Sequence, residues 1–382
     1  MKVLYITPSA AGLLNHGVAL SKVFQDWGWD VAWITGPEAQ AHLQHLRFTY
    51  PVYFLNSHSL DFERGKPGRL THLAQICQPS YVRRALRDEL SIIERFRPSV
   101  IIVKNFWTVP LSSRITGIPW ITYYTGGILD YHDETNPLVQ ITKSEYTDAI
   151  QQVAYEFGLT ESVGAVPYNL KSPYLNIVRG FPGIDSSRDI PPDVRFCGAL
   201  TYDGSDVIRY DTRHEENYDV YVTSGTMVGP GARMGLLFRS LEFSGLRALL
   251  SIPDRLAHQG PSSSDRITIT SYYPNTLAMH RSKIVFHHGG YGTFLEACVA
   301  GIPQLVYPDN LRSSNQLRIG EVVEMRGLGK SVQHEDPELL ARYLLLLLRD
   351  QRFRQGAESI RRQIAVQAKP LLYELKQALT NL

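Results

Sequence analysis

Short apolar runs alternate with stretches of helical spacing along most of this chain. Residues 3–7 form the first run, and a small-residue loop is expected at 8–17. Residues 18–27 place Leu20, Val23 and Phe24 on one side at helical spacing, and Gly28 closes that helix before the next apolar run at 31–35. Strand, helix, strand, with runs apolar on both faces, predicts a βαβ unit and so a parallel sheet covered by helices on both sides. The alternation continues with a long helix over 81–96 and buried strands at 100–103 and 119–124. Thr125-Gly126-Gly127 then makes a turn at a strand's C-terminal end, where open α/β sheets place their sites. Residues 57–70 are polar, carry Gly65, Pro67 and Gly68, and predict a long loop.

The pattern breaks between 181 and 216, where Pro, Asp, Ser and Arg dominate, and resumes at 218–223. A linker at 199–217 therefore separates a domain at 1–198 from one at 218–365. Helices are expected at 337–349 and 351–367. Lys369-Pro370 is expected to kink the last helix, leaving 366–382 as a separate C-terminal helix.

With 382 residues, the chain has length for two domains. At 43% hydrophobic and 20% charged it can bury real cores, and a net charge of +2 argues against a nucleic-acid partner held by a basic surface. Cys77, Cys197 and Cys298 have no metal-ligand spacing and suggest a reducing, cytoplasmic setting. No stretch approaches the roughly 20 apolar residues of a membrane span. The leucines at 344–348 read as a buried helix face, and the first residues as a strand rather than a signal peptide.

The most informative stretch is 284–308. An apolar strand ends in His287-His288, glycines stand at 289, 290 and 292, and Thr293 opens a helix over 294–300 that Gly301 stops. A helix start presents unpaired N–H groups and the positive end of a dipole, and glycines let an anion approach the backbone. His288 can donate from its ring, Thr293 from its hydroxyl, and Glu296 can accept from sugar hydroxyls. A nucleotide diphosphate with its ribose fits these groups in order. Read singly, each has a plainer role: Thr293-x-x-Glu296 is a capping box, and the glycines make a tight turn. The segment holds no Gly-x-Gly-x-x-Gly and no Gly-Lys-Ser/Thr.

The series His288-Gly289-Gly290-Tyr291-Gly292-Thr293, Glu296-Ala297, Gly301-Ile302-Pro303 and Pro308 resembles the donor-binding signature of GT-B glycosyltransferases, most of all the UDP- and natural-product branch. The resemblance implies an α/β fold of two Rossmann-like parallel-sheet domains facing a central cleft, with the C-terminal helix crossing back to the first. It implies that His288, Gly290, Gly292 and Thr293 hold the diphosphate and Glu296 the ribose. Tyr272 would stack on the base and the backbone of Tyr273 would read its edge. Thr226 would meet phosphate, Asn315 and Gln316 would grip sugar hydroxyls, and Gly12 matches the glycine of the first domain's loop. The implied co-substrate is a UDP- or dTDP-sugar, transferred with inversion to a small-molecule or lipid-like acceptor. No cofactor, metal or nucleic acid is implied, and peripheral membrane contact is compatible with a lipid-like acceptor.

The first domain departs from that family. Leu13 stands where a catalytic His is expected, and Lys104 and Asn105 where its Asp partner is expected. Inverting transfer needs a base for the acceptor hydroxyl unless the acceptor ionises easily. The candidates are His16, one helical turn later, and the acidic cluster 130–134, represented by Asp133. The plain alternatives are a helix cap and a solvated loop. The missing pair also motivates a second reading, a catalytically degenerate protein that binds nucleotide sugars. A nucleotide-sugar epimerase, the third, rests on architecture alone.

Overall fold

A computed structural model describes the chain outside residues 10, 60–76, 105, 107, 126–136, 161–170, 185–189, 203, 205–216, 224–231, 253–264 and 309–313. At 11, 125, 137–146, 232–234, 314 and 315 it describes the backbone only. The chain divides into two compact units. The first comprises residues 1–179, 188–202 and 372–382, the second 180–187 and 203–371.

The first unit is built on β1 (Lys2–Ile6), β2 (Asp30–Thr35), β3 (Val52–Phe54), β4 (Val100–Val103), β5 (Trp120–Thr125), β6 (Leu175–Arg179) and β7 (Val194–Phe196). These pair in parallel in the order β3-β2-β1-β4-β5-β6-β7, with Val3 opposite both Val31 and Val100. The strand order reverses between β1 and β4, as in a doubly wound sheet. Its helices are α1 (Ala11–Asp26), α2 (Ala39–His45), α3 (Pro79–Phe96), α4 (Val109–Thr116) and α5 (Pro137–Glu156).

Alternation along the strands assigns the two faces. Leu4, Ile6, Ile34, Ile101 and Val103 pack against Val82 and Leu86 of α3, Leu111 of α4, and Ile150 and Val153 of α5. Tyr5 and Trp33 lie on the other face, under α1. A Cβ on Gly17 would come within 2.5 Å of the Tyr5 ring and 2.6 Å of Trp33, so the helix meets the aromatic pair there through bare backbone. This explains the first correction to the sequence: 11–17 belongs to α1 and is not a loop. Gly12 and Gly17 read as loop residues, but the packing of α1 on the sheet overrides the poor helix propensity of glycine.

The second unit repeats the plan. Strands β8 (Tyr218–Thr223), β9 (Ala248–Ser251), β10 (Ile267–Thr270), β11 (Ser282–His287), β12 (Gln304–Val306) and β13 (Gly329–Ser331) run parallel in the order β10-β9-β8-β11-β12-β13. The helices are α6 (Ala232–Ser244), α7 (Asn275–His280), α8 (Tyr291–Ala300), α9 (Ser314–Met325), α10 (Pro337–Arg349) and α11 (Gln351–Thr380). On one face Val220, Val222, Ile284, Phe286 and Leu305 meet α6 and α10, into which the leucine run sends Leu344 and Leu347. On the other, Tyr221, Leu249 and Val285 meet α7 and α8 through Ala278, Met279 and Ala297. Asp336 caps α10, accepting from the backbone N–H groups of Glu338 and Leu339.

Two boundaries differ from expectation. Residues 180–187 group with the second unit, where the Arg326 guanidinium donates to the carbonyl of Gly183. The helix after Asp350 does not stop at Pro370 but continues to Thr380. Proline removes one backbone donor there. Burial of Ile360, Ile364 and Leu371 before or just beyond it, and of Leu375 and Leu379 after it, keeps the helix whole. Residues 372–382 group with the first unit, where Lys376 Nζ lies 5.6 Å over the Trp27 ring.

The packing of Gly17 yields a prediction. In urea titrations, Gly17→Ala is expected to lower stability by about 1–3 kcal/mol. Gly12→Ala, whose Cβ meets nothing within 4 Å, is expected to leave stability unchanged or raise it by up to ~1 kcal/mol.

Candidate active site

The turn between β11 and α8, with α8 itself, carries five of the eleven expected donor residues: His288, Gly290, Gly292, Thr293 and Glu296. α8 starts at Tyr291, three residues earlier than the sequence suggested, with extended Gly290 as its cap residue and no side chain capping it. The first intrahelical bond runs from Phe294 N–H to the Gly290 carbonyl at 3.0 Å. The N–H groups of Gly292 and Thr293 therefore precede the intrahelical ladder, at the positive end of the dipole. Thr293 lies inside the helix and is buried, so the capping box is not formed. Glu296 Oε2 accepts from Asn275 Nδ2 at 2.8 Å, and Asn275 Oδ1 accepts from the Tyr221 hydroxyl at 2.5 Å.

Close approaches explain the glycines. Gly289 has φ +88°, and a Cβ there would lie 2.9 Å from the Gln316 carbonyl oxygen. A Cβ on Gly290 would lie 2.7 Å from His288 Nε2, so the imidazole lies across that residue. Gln316, in the first turn of α9, thus sits directly beside the turn, as the donor-site expectation requires.

The two histidines differ. His288 is half-buried, and its Nδ1 is a buried atom with no hydrogen-bond partner among the described residues. Desolvation pushes its pKa down to about 4, so at neutral pH it is an uncharged ring with one N–H. His287 is 2% exposed. Its Nδ1 accepts from the Gly289 N–H at 3.1 Å and its Nε2 meets Gln304 Oε1 at 3.0 Å. The Gln304 amide nitrogen reaches the Phe294 carbonyl and Cys298 Sγ, both at 3.5 Å. Burial and the neighbouring His288 push the His287 pKa down to about 3, against the bond from Gln304.

Sequence reasoning singled out His288 and passed over His287, Gln304, Asn275 and Tyr221. For the first two a signal existed. Period-two alternation puts Val285 and His287 on the face that α8 covers, and the register places Gln304 opposite Val285. A polar residue at each of two buried positions implies that they bond to each other.

The remaining candidates scatter. Tyr272 is 38% exposed, with its carbonyl accepting from Thr270. Tyr273 is buried and its N–H donates to Ser251 Oγ at 3.2 Å. That bond engages the Tyr273 N–H. Thr226 and Asp133 lie outside the described residues, and only the backbone of Asn315 is described. Gly12 is exposed on α1.

His16 sits within α1, not on a loop and not at a helix end. Its Nε2 accepts from Arg179 Nη1 at 2.6 Å, and its Nδ1 is buried with no partner among the described residues. Burial first, then Arg179 and Lys104, hold its pKa well below the usual imidazole value. An imidazole placed so is a core side chain, which corrects the expectation of a loop-borne base. Lys104 is 2% exposed, has no hydrogen-bond partner for Nζ among the described residues and lies 4.9 Å over the Tyr123 ring. Burial and Arg179 push its pKa down to about 7. Elsewhere in this unit, a cavity of about 500 Å³ is lined by polar groups including Glu38, Asn56, Gln78, Ser80 and Arg84. Among the described residues, no group of three or more His, Cys, Asp or Glu is placed to hold a metal ion.

Residues 248–382, which include the turn, match the family model described as erythromycin biosynthesis protein CIII-like, C-terminal domain. A protein of Methanosarcina acetivorans, named an uncharacterized glycosyltransferase, is 22% identical over 279 residues, which is 70% of this chain and 68% of that one. Aclacinomycin-T 2-deoxy-L-fucose transferase of Streptomyces galilaeus is 26% identical over 199 residues, 47% of this chain and 44% of its own. Spinosyn rhamnosyltransferase SpnG superposes at 20% identity, with TM-score 0.67 in its complex with thymidine diphosphate, covering 96% of each chain. In its complex with the spinosyn aglycone the TM-score is 0.69, covering 98% of this chain and 100% of that one. The chain has the GT-B fold of these glycosyltransferases. The match spans less than half of the Streptomyces relative.

The buried histidines give a prediction. Burial pushes the pKa of His42 and His288 down to about 4 and that of His287 down to about 3, whereas an unfolded imidazole titrates near 6.5. Between those values the unfolded chain binds more protons. The contribution of each ring is complete above about pH 6.5 and is lost as pH falls toward 4, by at most about 1.4 kcal/mol per pH unit. Stability from urea unfolding is expected to fall between pH 6.5 and 4.5, and His287→Asn is expected to flatten that slope. A variant as steep as wild type would contradict the assignment.

Proposed function

We propose that this transferase moves a sugar from a UDP- or dTDP-sugar to a small-molecule or lipid-like acceptor, with inversion at the anomeric carbon and no metal ion on the leaving group. The observation that carries this is the start of α8. Two N–H groups outside the intrahelical ladder follow Gly290, across which the His288 ring lies with its Nδ1 unpartnered among the described residues, and a carboxylate is held one turn further on.

The acceptor oxygen attacks the anomeric carbon, the bond from that carbon to the phosphate oxygen breaks, and the nucleoside diphosphate leaves with one more negative charge. The Gly292 and Thr293 amides, the Thr293 hydroxyl, the helix dipole and the single N–H of neutral His288 are donors for that charge. In this scheme Glu296, aimed by Asn275, accepts from the ribose hydroxyls, and the exposed ring of Tyr272 stacks on the base. Asn315 and Gln316 contact the sugar and Thr226 a phosphate. The thymidine diphosphate complex of SpnG supports the dTDP branch, and the SpnG aglycone complex supports a small-molecule acceptor.

With His16 bonded to Arg179 inside the first unit, the acceptor proton passes in this scheme to Asp133. That residue follows β5 in sequence, beyond the C-terminal end of a parallel strand. No helix among the described residues is long and apolar enough to cross a membrane. We take the enzyme to work in the cytoplasm.

The alternative is a nucleotide-sugar-binding protein without transferase activity. Leu13 and Lys104 at the expected base positions, together with the buried His16, favour it. Incubation with a panel of UDP- and dTDP-sugars separates the two, because a transferase releases free sugar slowly to water and a binder shows saturable binding alone. His288→Ala and Glu296→Ala are expected to raise the donor KM about tenfold or more at unchanged Tm, the loss of a bond to a charged or polar ligand group. Glu296→Ala with a lowered Tm and unchanged donor affinity would refute the ribose role. Asp133→Asn is expected to cut kcat about a hundredfold with dTDP affinity intact. Unchanged kcat would remove Asp133 as the base.

A further inference from the structure

We propose that His287 is the positioning residue of the donor site, using its Nδ1 lone pair to hold the Gly289 N–H and thereby fix which amides face the diphosphate. This rests on the proposed donor reading of the turn.

The bonding leaves one protonation pattern. Nδ1 lies 3.1 Å from the Gly289 nitrogen, which can only donate, so Nδ1 carries the lone pair. The proton is then on Nε2 and points to Gln304 Oε1. Gln304 is fully buried, and with its oxygen so used, its NH₂ group turns to the Phe294 carbonyl and to Cys298 Sγ, both in α8. One imidazole and one amide therefore link the end of β11, the start of β12 and the body of α8.

This has a consequence for binding. The Gly289 N–H is the amide nearest the strand, and with a buried acceptor of its own it is not offered to a ligand. The donors left in the turn are the amides that precede the ladder of α8, including Gly292 and Thr293. Gly289, at φ +88°, has its bare Cα against Gln316, so holding Gly289 also ties the turn to the start of α9. His287 touches no ligand in this scheme and acts through Gly289.

Two amide side chains separate the halves of the ring. Asn at 287 places its Oδ1 where Nδ1 stands and restores the acceptor for Gly289. Gln places its nitrogen near the Nε2 position and restores the donor to Gln304 only. Thymidine diphosphate affinity of the full chain, by calorimetry, is expected to stay within about threefold of wild type in His287→Asn and to weaken about tenfold or more in His287→Gln and His287→Leu. The Tm values are expected not to follow that order. Equal affinities in the Asn and Gln variants, or affinity losses that track Tm across all three, would reduce His287 to a structural residue. Ring ¹⁵N NMR of the folded wild type is independent of the variants' folding. It should show the Nε2-protonated tautomer, and the Nδ1-protonated form would overturn the proposal. A wild-type chain that binds neither thymidine diphosphate nor UDP would overturn the donor reading along with it, whereas normal wild-type binding with equal Asn and Gln variants would overturn only the role of His287.

Discussion

A helix that begins directly from a buried parallel strand, with nothing capping its first turn, leaves polar backbone groups that need a partner. α8 is such a helix: Gly290 caps it without a side chain, and Thr293, the residue best suited to cap, is already inside. The turn is held open from beneath. His287 and Gln304 secure Gly289, Gln316 closes off the space where a side chain would be, and the His288 ring crosses Gly290. These contacts preorganise the amides before any ligand arrives, so binding need not pay to order them. The surrounding sheet provides rigidity, with β11 between β8 and β12 in an all-parallel order.

Much of the fold was legible because both sheets are parallel and covered on both faces. Strands such as 100–103 and 284–286 are then uninterrupted apolar runs, and their C-terminal ends are where glycine turns collect. What was not legible depended on contacts between distant residues. Gly17 looked like a loop residue because only the fold brings Tyr5 and Trp33 beneath it. Pro370 looked like a break because the isoleucines before it and the leucines after it hold α11 through packing. β3, α2 and β6 are short or bordered by polar segments and gave no periodic signal.

The candidate site shows the same division. His288, Gly290, Gly292, Thr293 and Glu296 could be singled out because they are close in sequence and in a recognisable order. The residues that aim them are far away in sequence: Asn275 lies 21 residues before Glu296, and Gln304 lies 17 after His287. Thr293-x-x-Glu296 fits a capping box on paper, yet the helix begins one turn too early for it. In the first unit the direction of error was opposite. His16 looked catalytic by its chemistry, but α1 carries it inward onto Arg179, where its lone pair is used and its charge suppressed. An imidazole so placed stabilises a guanidinium. The buried amine of Lys104 lowers the His16 pKa further.

The central claim is that the start of α8 holds two linked phosphates. Backbone ¹H–¹⁵N NMR of the full chain during titration with thymidine diphosphate tests it at the atoms concerned. The amide protons of Gly292 and Thr293 should move downfield together with saturation, while that of Gly289, already bonded to His287, stays nearly fixed. Saturable binding that leaves the Gly292 and Thr293 resonances in place would contradict the account.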